Sequence, residues 1–361
     1  MRYLIFLIFL GLCACSSDKK EIATVPTEVQ SPKLLVKLDR VRLRQAPGED
    51  GAVLKELSKG TRLTDLEEVS NFTTTIKLSG VQYDEPWLNV KTEDGTSGWV
   101  YAATIQLQNA DTLALANFLK EKRLLSLFGK ENTKRIQSFA DGFNAPTTAA
   151  SFATLYREGI QLRDDLLKNI DERLENSSTE ELPDLFWLKG MIPGFVPQLV
   201  AEGTSYYLFA DYKAFGEIAG KTESTLDDEF IELQYLTFPE DSIEYFFPAW
   251  MIQTWDYGGH SLFGRKIHQS LLFEIDQLHQ KDTLFHPEIL VLKDRLVEDM
   301  TGASVGYWES ADKIIPELDT ILNADLTIFT KNDKIALETR RKQFDQPEEH
   351  GIRANLRTGT F

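Results

Sequence analysis

The apolar residues of this chain change their spacing once, near Gln108, and that change limits what it can fold into. From Lys33 to Gln108 they alternate with polar residues, as at Leu34, Val36 and Leu38 and again at Val41 and Leu43. That is the repeat of a half-buried strand. Turn-forming runs cut the stretch into short pieces: Ala46-Pro47-Gly48-Glu49-Asp50-Gly51, Ser58-Lys59-Gly60-Thr61 and Glu93-Asp94-Gly95. Such runs between short strands predict a small closed or half-closed β-barrel over 33–108. Beyond Gln108 the spacing becomes threes and fours. Leu113, Leu115, Ala116, Leu119, Leu124, Leu125 and Phe128 predict a helix capped by Asp111 and ended by Gly129. A longer helix follows from Thr147 or Thr148 to Asn176-Ser177-Ser178, and further helical stretches cover 205–219, 226–236, 267–279, 287–300 and 314–344. The fold class expected is therefore α+β and multidomain, a small β-barrel followed by a large all-α helical domain over 110–345, with a polar tail over 346–361. No fixed-period repeat accompanies it.

Within the strand region the pieces fall in a specific order. Val41-Arg42-Leu43-Arg44-Gln45-Ala46-Pro47-Gly48 comes first, then Leu57-Ser58-Lys59-Gly60-Thr61, then Trp87-Leu88-Asn89-Val90-Lys91, then Asp94-Gly95 and Gly98-Trp99-Val100-Tyr101. Together they resemble a bacterial SH3 domain. The resemblance implies an SH3-like β-barrel that binds a peptide or a cell-wall peptide stem. Aromatic side chains suit such grooves, which makes Trp87, Tyr101 and the Pro47 loop the candidate ligand contacts, with Trp99 expected to pack inside. One departure is visible. Asn71 to Pro86 exceeds the usual tight connection, and its Thr, Ile and Leu content predicts an extra hairpin that reshapes any nearby groove.

The amino end carries Arg2, an apolar run from Tyr3 to Leu12, and Leu12-Cys13-Ala14-Cys15. The run is far short of the roughly 20 residues that span a bilayer, which fits a cleaved export segment. The pattern resembles the lipobox of bacterial lipoproteins. That resemblance implies a signal peptide over 1–14, lipidation at Cys15, a flexible tether over 15–32, and a membrane partner through the lipid anchor. Ser16 in the next position resembles outer-membrane sorting, with the protein facing the periplasm or the cell surface. The only two cysteines are Cys13 and Cys15, so a disulfide or a cysteine nucleophile is not expected in the folded part.

Charge narrows the partners. The net charge is −17, and 42 of the 56 acidic residues but only 26 of the 39 basic ones lie beyond Gln108. An acidic surface repels polyphosphate chains, so nucleic acid is not an expected partner. No phosphate-cradling glycine motif occurs, and neither a cofactor nor a metal site is expected. Gly302-Ala303-Ser304-Val305-Gly306 has the letters of a nucleophile elbow, but helical spacing precedes it where a strand is needed, so it reads as an interhelical loop. His268 and His279 stand eleven apart, three helical turns, too far to share one ion; the histidines read as surface or cap residues.

The segment from Tyr235 to Phe263 is rich in aromatic rings interleaved with Glu240, Asp241, Glu244, Asp256 and His260. Rings with carboxylates suit either a core or a ligand groove, and Trp255, Asp256 and His260 are the contacts to watch there. The expected function is a lipid-anchored envelope protein that binds peptidoglycan, a peptide or an envelope protein. An envelope hydrolase working through Glu244, Asp256 or His260 is the alternative.

Overall fold

The computed structural model describes residues 33–108, 112–175, 185–200, 203–239, 247–253, 259–281 and 284–358. The expected signal segment, Cys15, the tether, the Asp111 cap and the Asn176–Ser178 helix end lie outside the described residues. No helix among the described residues is long and apolar enough to cross a membrane.

Seven antiparallel strands make the first unit: β1 (Leu34–Val36), β2 (Val41–Arg44), β3 (Val53–Leu57), β4 (Arg62–Leu78), β5 (Val81–Thr92), β6 (Ser97–Tyr101) and β7 (Ile105–Leu107). Their order is β3-β2-β6-β5-β4-β1-β7. Of the closed or half-closed barrel expected, the closed form is not made, since β3 and β7 end the sheet; three-residue strands such as β1 and β7 are too short to carry a ladder round to β3. Alternation puts Leu34, Val36, Leu43, Leu88, Val90, Val100 and Ile105 on one buried face. The predicted extra hairpin is the distal half of β4 and β5, a long ribbon closed at Ser79-Gly80, both at positive φ. Register shifts between Asp65 and Val69 and between Val69 and Thr73 bend that ribbon.

Helix α1 (Thr112–Gly142) joins the two units. Gly129 interrupts it at φ 72°, ψ 174°, a conformation that costs glycine little, so the predicted helix does end there and a second segment continues. Ahead of Gly129, Leu119 packs under the sheet beside Leu115 and Phe118, and Lys122 reaches the buried Asp65 at 2.5 Å. Behind it, Ile136, Phe139 and Phe143 join the core of the second unit.

That second unit contains α2 (Ala149–Glu175), whose first turn is capped by Thr148 accepting from the Ser151 amide at 3.2 Å. It continues with β8 (Phe195–Val200), β9 (Ser205–Ala210), α3 (Tyr212–Ala219), α4 (Leu226–Thr237), β10 (Met251–Gln253), β11 (Gly259–Ser261), α5 (Ile267–Lys281), α6 (His286–Thr301), α7 (Ala311–Asn323) and α8 (Lys331–Gln343). It is therefore mainly helical rather than all-α. The helix expected over 205–219 starts as a strand because Ser-Tyr-Tyr-Leu-Phe-Ala pairs with β8, and Asp211 then caps α3 by accepting from Ala214 at 2.9 Å. The helix expected over 314–344 is two, the second opened by a Thr330–Asp333 capping box.

Aromatic rings fill the centre, with Phe230 and Phe285 stacked at 4.2 Å and Phe152, Tyr156 and Phe215 packed edge-on around them. Buried carboxylates tie the helices. Glu317 of α7 accepts from the Gly264, Lys266 and Gln269 amides ahead of and within the first turn of α5, and Asp276 of α5 accepts from the Ile328 amide at 2.8 Å. The expected polar tail also docks: Ile352 is buried and Tyr307 donates its amide to Arg353.

Candidate functional site

In the strand unit, Trp87 pairs with Tyr101 across β5 and β6, and Trp99 lies opposite both Asn89 and Arg44. All five therefore share the sheet face away from the main core. The ribbon covers part of that face. Ile76, Leu78 and Tyr83 pack over Trp87 and Tyr101, which are 2% and 3% exposed. Their polar tips are used inside. The Trp87 indole donates to Thr74 Oγ1 at 2.8 Å, and the Tyr101 hydroxyl accepts from the Glu85 amide while sharing its proton between the Thr74 and Tyr83 carbonyls. These two side chains hold the ribbon down. Burial also pushes the Glu85 carboxyl above its usual range, an effect the Arg123 charge partly offsets.

The expected exchange of roles is thus reversed, with Tyr101 inside and Trp99 half-exposed, because the ribbon closes over the Tyr101 end of the face. Pro47 stays half-exposed on its loop. Arg44 secures the loop by donating to the Gly51 carbonyl at 2.6 Å with its guanidinium over the Trp87 ring. Phe72, 38% exposed, lies beside Gly48, where a Cβ would sit 3.8 Å from the ring tip. Phe72, Pro47 and Gly48 make an exposed ridge at the root of the ribbon.

In the helical unit a cavity of about 730 Å³ opens between α2 and α6, walled by β9 and by residues 247–251. Rings from distant parts of the chain line it: Tyr156, Tyr207, Phe209, Tyr212, Phe238 and Phe247. Its charges are mostly spent internally. Arg157 makes a two-pronged pair with Glu288 at 2.5 and 2.9 Å, Arg163 pairs with Asp164 at 2.7 Å, and Asp165 with Arg135 at 2.8 Å. Tyr156 and Tyr212 both line the cavity, and burial pushes the Tyr212 phenol up to about 12.

The aromatic segment contributes to this cavity only in part. Phe238, Phe247 and Met251 line it, whereas Trp250 and Phe263 are core. His260 lies elsewhere, stacked on Trp308 with ring centres 6.1 Å apart. Trp255 and Asp256, like Glu240, Asp241 and Glu244, lie outside the described residues. Sequence reading missed the walls supplied by α2, β9 and α6; the alternation in Ser205–Ala210 is the one local signal that would have marked Tyr207 and Phe209 as a wall.

A buried polar knot was missed as well. His268, expected at the surface, is fully buried because it packs beside Trp250 and Phe263. Its Nε2 lies 2.7 Å from Asp299, and Ser261 donates to the same carboxylate oxygen at 2.5 Å. Serine and histidine both meet the aspartate rather than each other, so the cluster ties β11, α5 and α6 together and does not form the nucleophile–base contact of a triad. The 302–306 run lies between α6 and α7, as expected of an interhelical loop. Among the described residues no three His, Asp or Glu side chains gather in a metal-holding group.

The family model for the bacterial SH3 domain matches residues 39–106. Over that span the strand unit is similar to a bacterial SH3 domain. Strands β2 to β6, with the Lys59-Gly60-Thr61 turn, the long ribbon and the Gly98-Trp99-Val100 strand, fall inside the matched span. No curated protein and no solved structure matches the chain. A bacterial SH3 domain suggests a binding role and is consistent with an extracytoplasmic or cell-envelope protein.

Proposed function

We propose that this protein is a lipid-anchored component of the cell envelope that binds a cell-wall component or a peptide through its SH3 domain. The observation that carries the reading is the ridge of Phe72 beside Gly48 on the Pro47 loop: Trp87, Tyr101 and Tyr83 are turned to holding the ribbon, while this ring lies beside a loop secured by Arg44 and is left to solvent. An exposed ring on a fixed support loses little freedom on binding. The short apolar run ending at Cys15 supports export and acylation, and Ser16 supports placement in the outer membrane. Two acyl chains on one residue give stable anchoring where a single chain does not. The helical unit extends the binding surface toward a second ligand or an envelope protein.

Co-sedimentation of the full chain with purified peptidoglycan sacculi, in a mild detergent, tests this reading. Retention in the pellet, competed by soluble muropeptides, is the expected result; a protein that stays in the supernatant with sacculi and with envelope extracts overturns it. Mass spectrometry of the protein from cells is expected to find an acylated Cys15 as the first residue, and an uncut amino end contradicts the anchor.

A further inference from the structure

Among the described residues, the cavity of the helical unit holds one charge that nothing inside it balances. Of its three arginines, Arg157 and Arg163 are paired with Glu288 and Asp164, and Asp165 is taken by Arg135. Arg295 is different. Among the described residues it has neither a hydrogen-bond nor an ion-pair partner, and its guanidinium is held instead by stacking, 5.5 Å from the Phe238 ring centre and 5.7 Å from that of Trp250. Stacking fixes the group in place and leaves its donors unused. Tyr212 lines the same cavity and lies close enough to feel that charge, and its hydroxyl is a hydrogen-bond donor. The polar end of the cavity thus offers a fixed cation and a phenol donor, both suited to an oxyanion. Apart from Gln161, Gln234, Tyr156, Tyr207 and the paired charges, the rest of the described wall is apolar, including Ile160, Phe209, Met251, Val291 and Leu292. A volume near 730 Å³ falls in the range of small-molecule sites, about 300–1,000 Å³.

We infer that this cavity is a binding site for a small amphiphilic carboxylate, its apolar body against the ring-lined wall and its single negative group on Arg295 and Tyr212. A cationic ligand, which aromatic walls alone would also attract, meets Arg295 with its own sign, and the described carboxylates of the lining, Asp164, Asp165 and Glu288, are already paired. A neutral apolar ligand leaves the cation without a counter-charge. The site is independent of the SH3 ridge.

Calorimetric titration of the full chain with 4-phenylbutyrate, 4-phenyl-1-butanol and 4-phenylbutylammonium tests the inference. The acid is expected to bind at least about tenfold more tightly than the alcohol, the scale of a hydrogen bond to a charged group, and the ammonium to give no heat. Arg295→Gln erases the acid's advantage and leaves the alcohol unchanged; Arg295→Lys, which keeps the charge, retains most of it. Val291→Trp, at a position 57% exposed on the cavity wall, excludes acid and alcohol alike without moving the melting midpoint. No binding of the acid, equal affinity for acid and alcohol, ammonium binding as tight as the acid, or an Arg295→Gln variant that binds the acid as before each overturns it.

Discussion

In the SH3-like unit much of the polar backbone is satisfied nearby: β2 pairs β3, β4 pairs β5 and β5 pairs β6, with β1 and β2 reaching further to β7 and β6, and the side-chain bonds that finish the ribbon come from Thr74, Trp87 and Tyr101 on the same sheet face. In the helical unit the same need is met from a distance, as Glu317 closes the start of α5 from 48 to 53 residues away and Asp276 reaches 52 residues to Ile328. Local satisfaction produces short motifs with fixed order. Remote satisfaction leaves isolated acidic residues in a chain full of them. The two units meet at a single helix, α1, where the Lys122–Asp65 pair is buried.

That meeting point gives the largest expected effect. Lys122→Ala leaves the Asp65 carboxylate buried without its counter-charge and is expected to cost about 3–5 kcal/mol in denaturant unfolding, whereas Lys122→Met combined with Asp65→Leu recovers most of it. Recovery failing in the double variant would show that the pair does more than neutralise one charge. Next comes Glu317→Ala, which strands three backbone donors and is expected to cost roughly 3 kcal/mol, at up to about 1–3 kcal/mol for each unsatisfied group. Amide exchange should quicken at Gly264, Lys266 and Gln269 and stay unchanged in the SH3 sheet; faster exchange throughout would mean the units are not separable.

Tyr101→Phe is smaller, about 1–2 kcal/mol, because it leaves the Glu85 amide without an acceptor while keeping the ring. Exchange at Glu85 and across the distal ribbon reads it, and the SH3 core face should keep its protection. The smallest effect is a pH dependence of the helical unit. Burial and the neighbouring His286 hold the His279 imidazole below its usual range. The fold therefore favours the neutral ring, so this contribution is complete above the ordinary histidine value and is lost as pH falls through the depressed one. The melting midpoint is expected to fall between pH 7 and pH 5 by less in His279→Gln than in the parent.

The same contrast decides how much could be read from the chain. The strand unit, its extra hairpin, the Gly129 break and the Thr148 cap are written in residues adjacent to what they control. Whether the sheet closes depends on strand length in three dimensions, so the sequence left closed and half-closed forms both open. Tyr101 and Trp87 were marked for their aromatic tips, but what faces those tips is the ribbon, whose curl no local pattern encodes. The cavity was least legible of all, since Tyr156, Tyr207, Tyr212 and Arg295 come from four elements, and of its described lining the aromatic segment supplies Phe238, Phe247, Pro248 and Met251. Helical spacing in Ser205–Ala210 was misread because its apolar residues satisfy either period over so short a run.

The account rests on the SH3 ridge being the face that meets the cell wall, and the sacculus pellet measures this directly when parent, Phe72→Ala and Arg295→Gln proteins are compared side by side. The parent and Arg295→Gln proteins are expected to pellet equally, with Phe72→Ala left several-fold more in the supernatant at an unchanged melting midpoint. A Phe72→Ala protein that pellets like the parent contradicts the account.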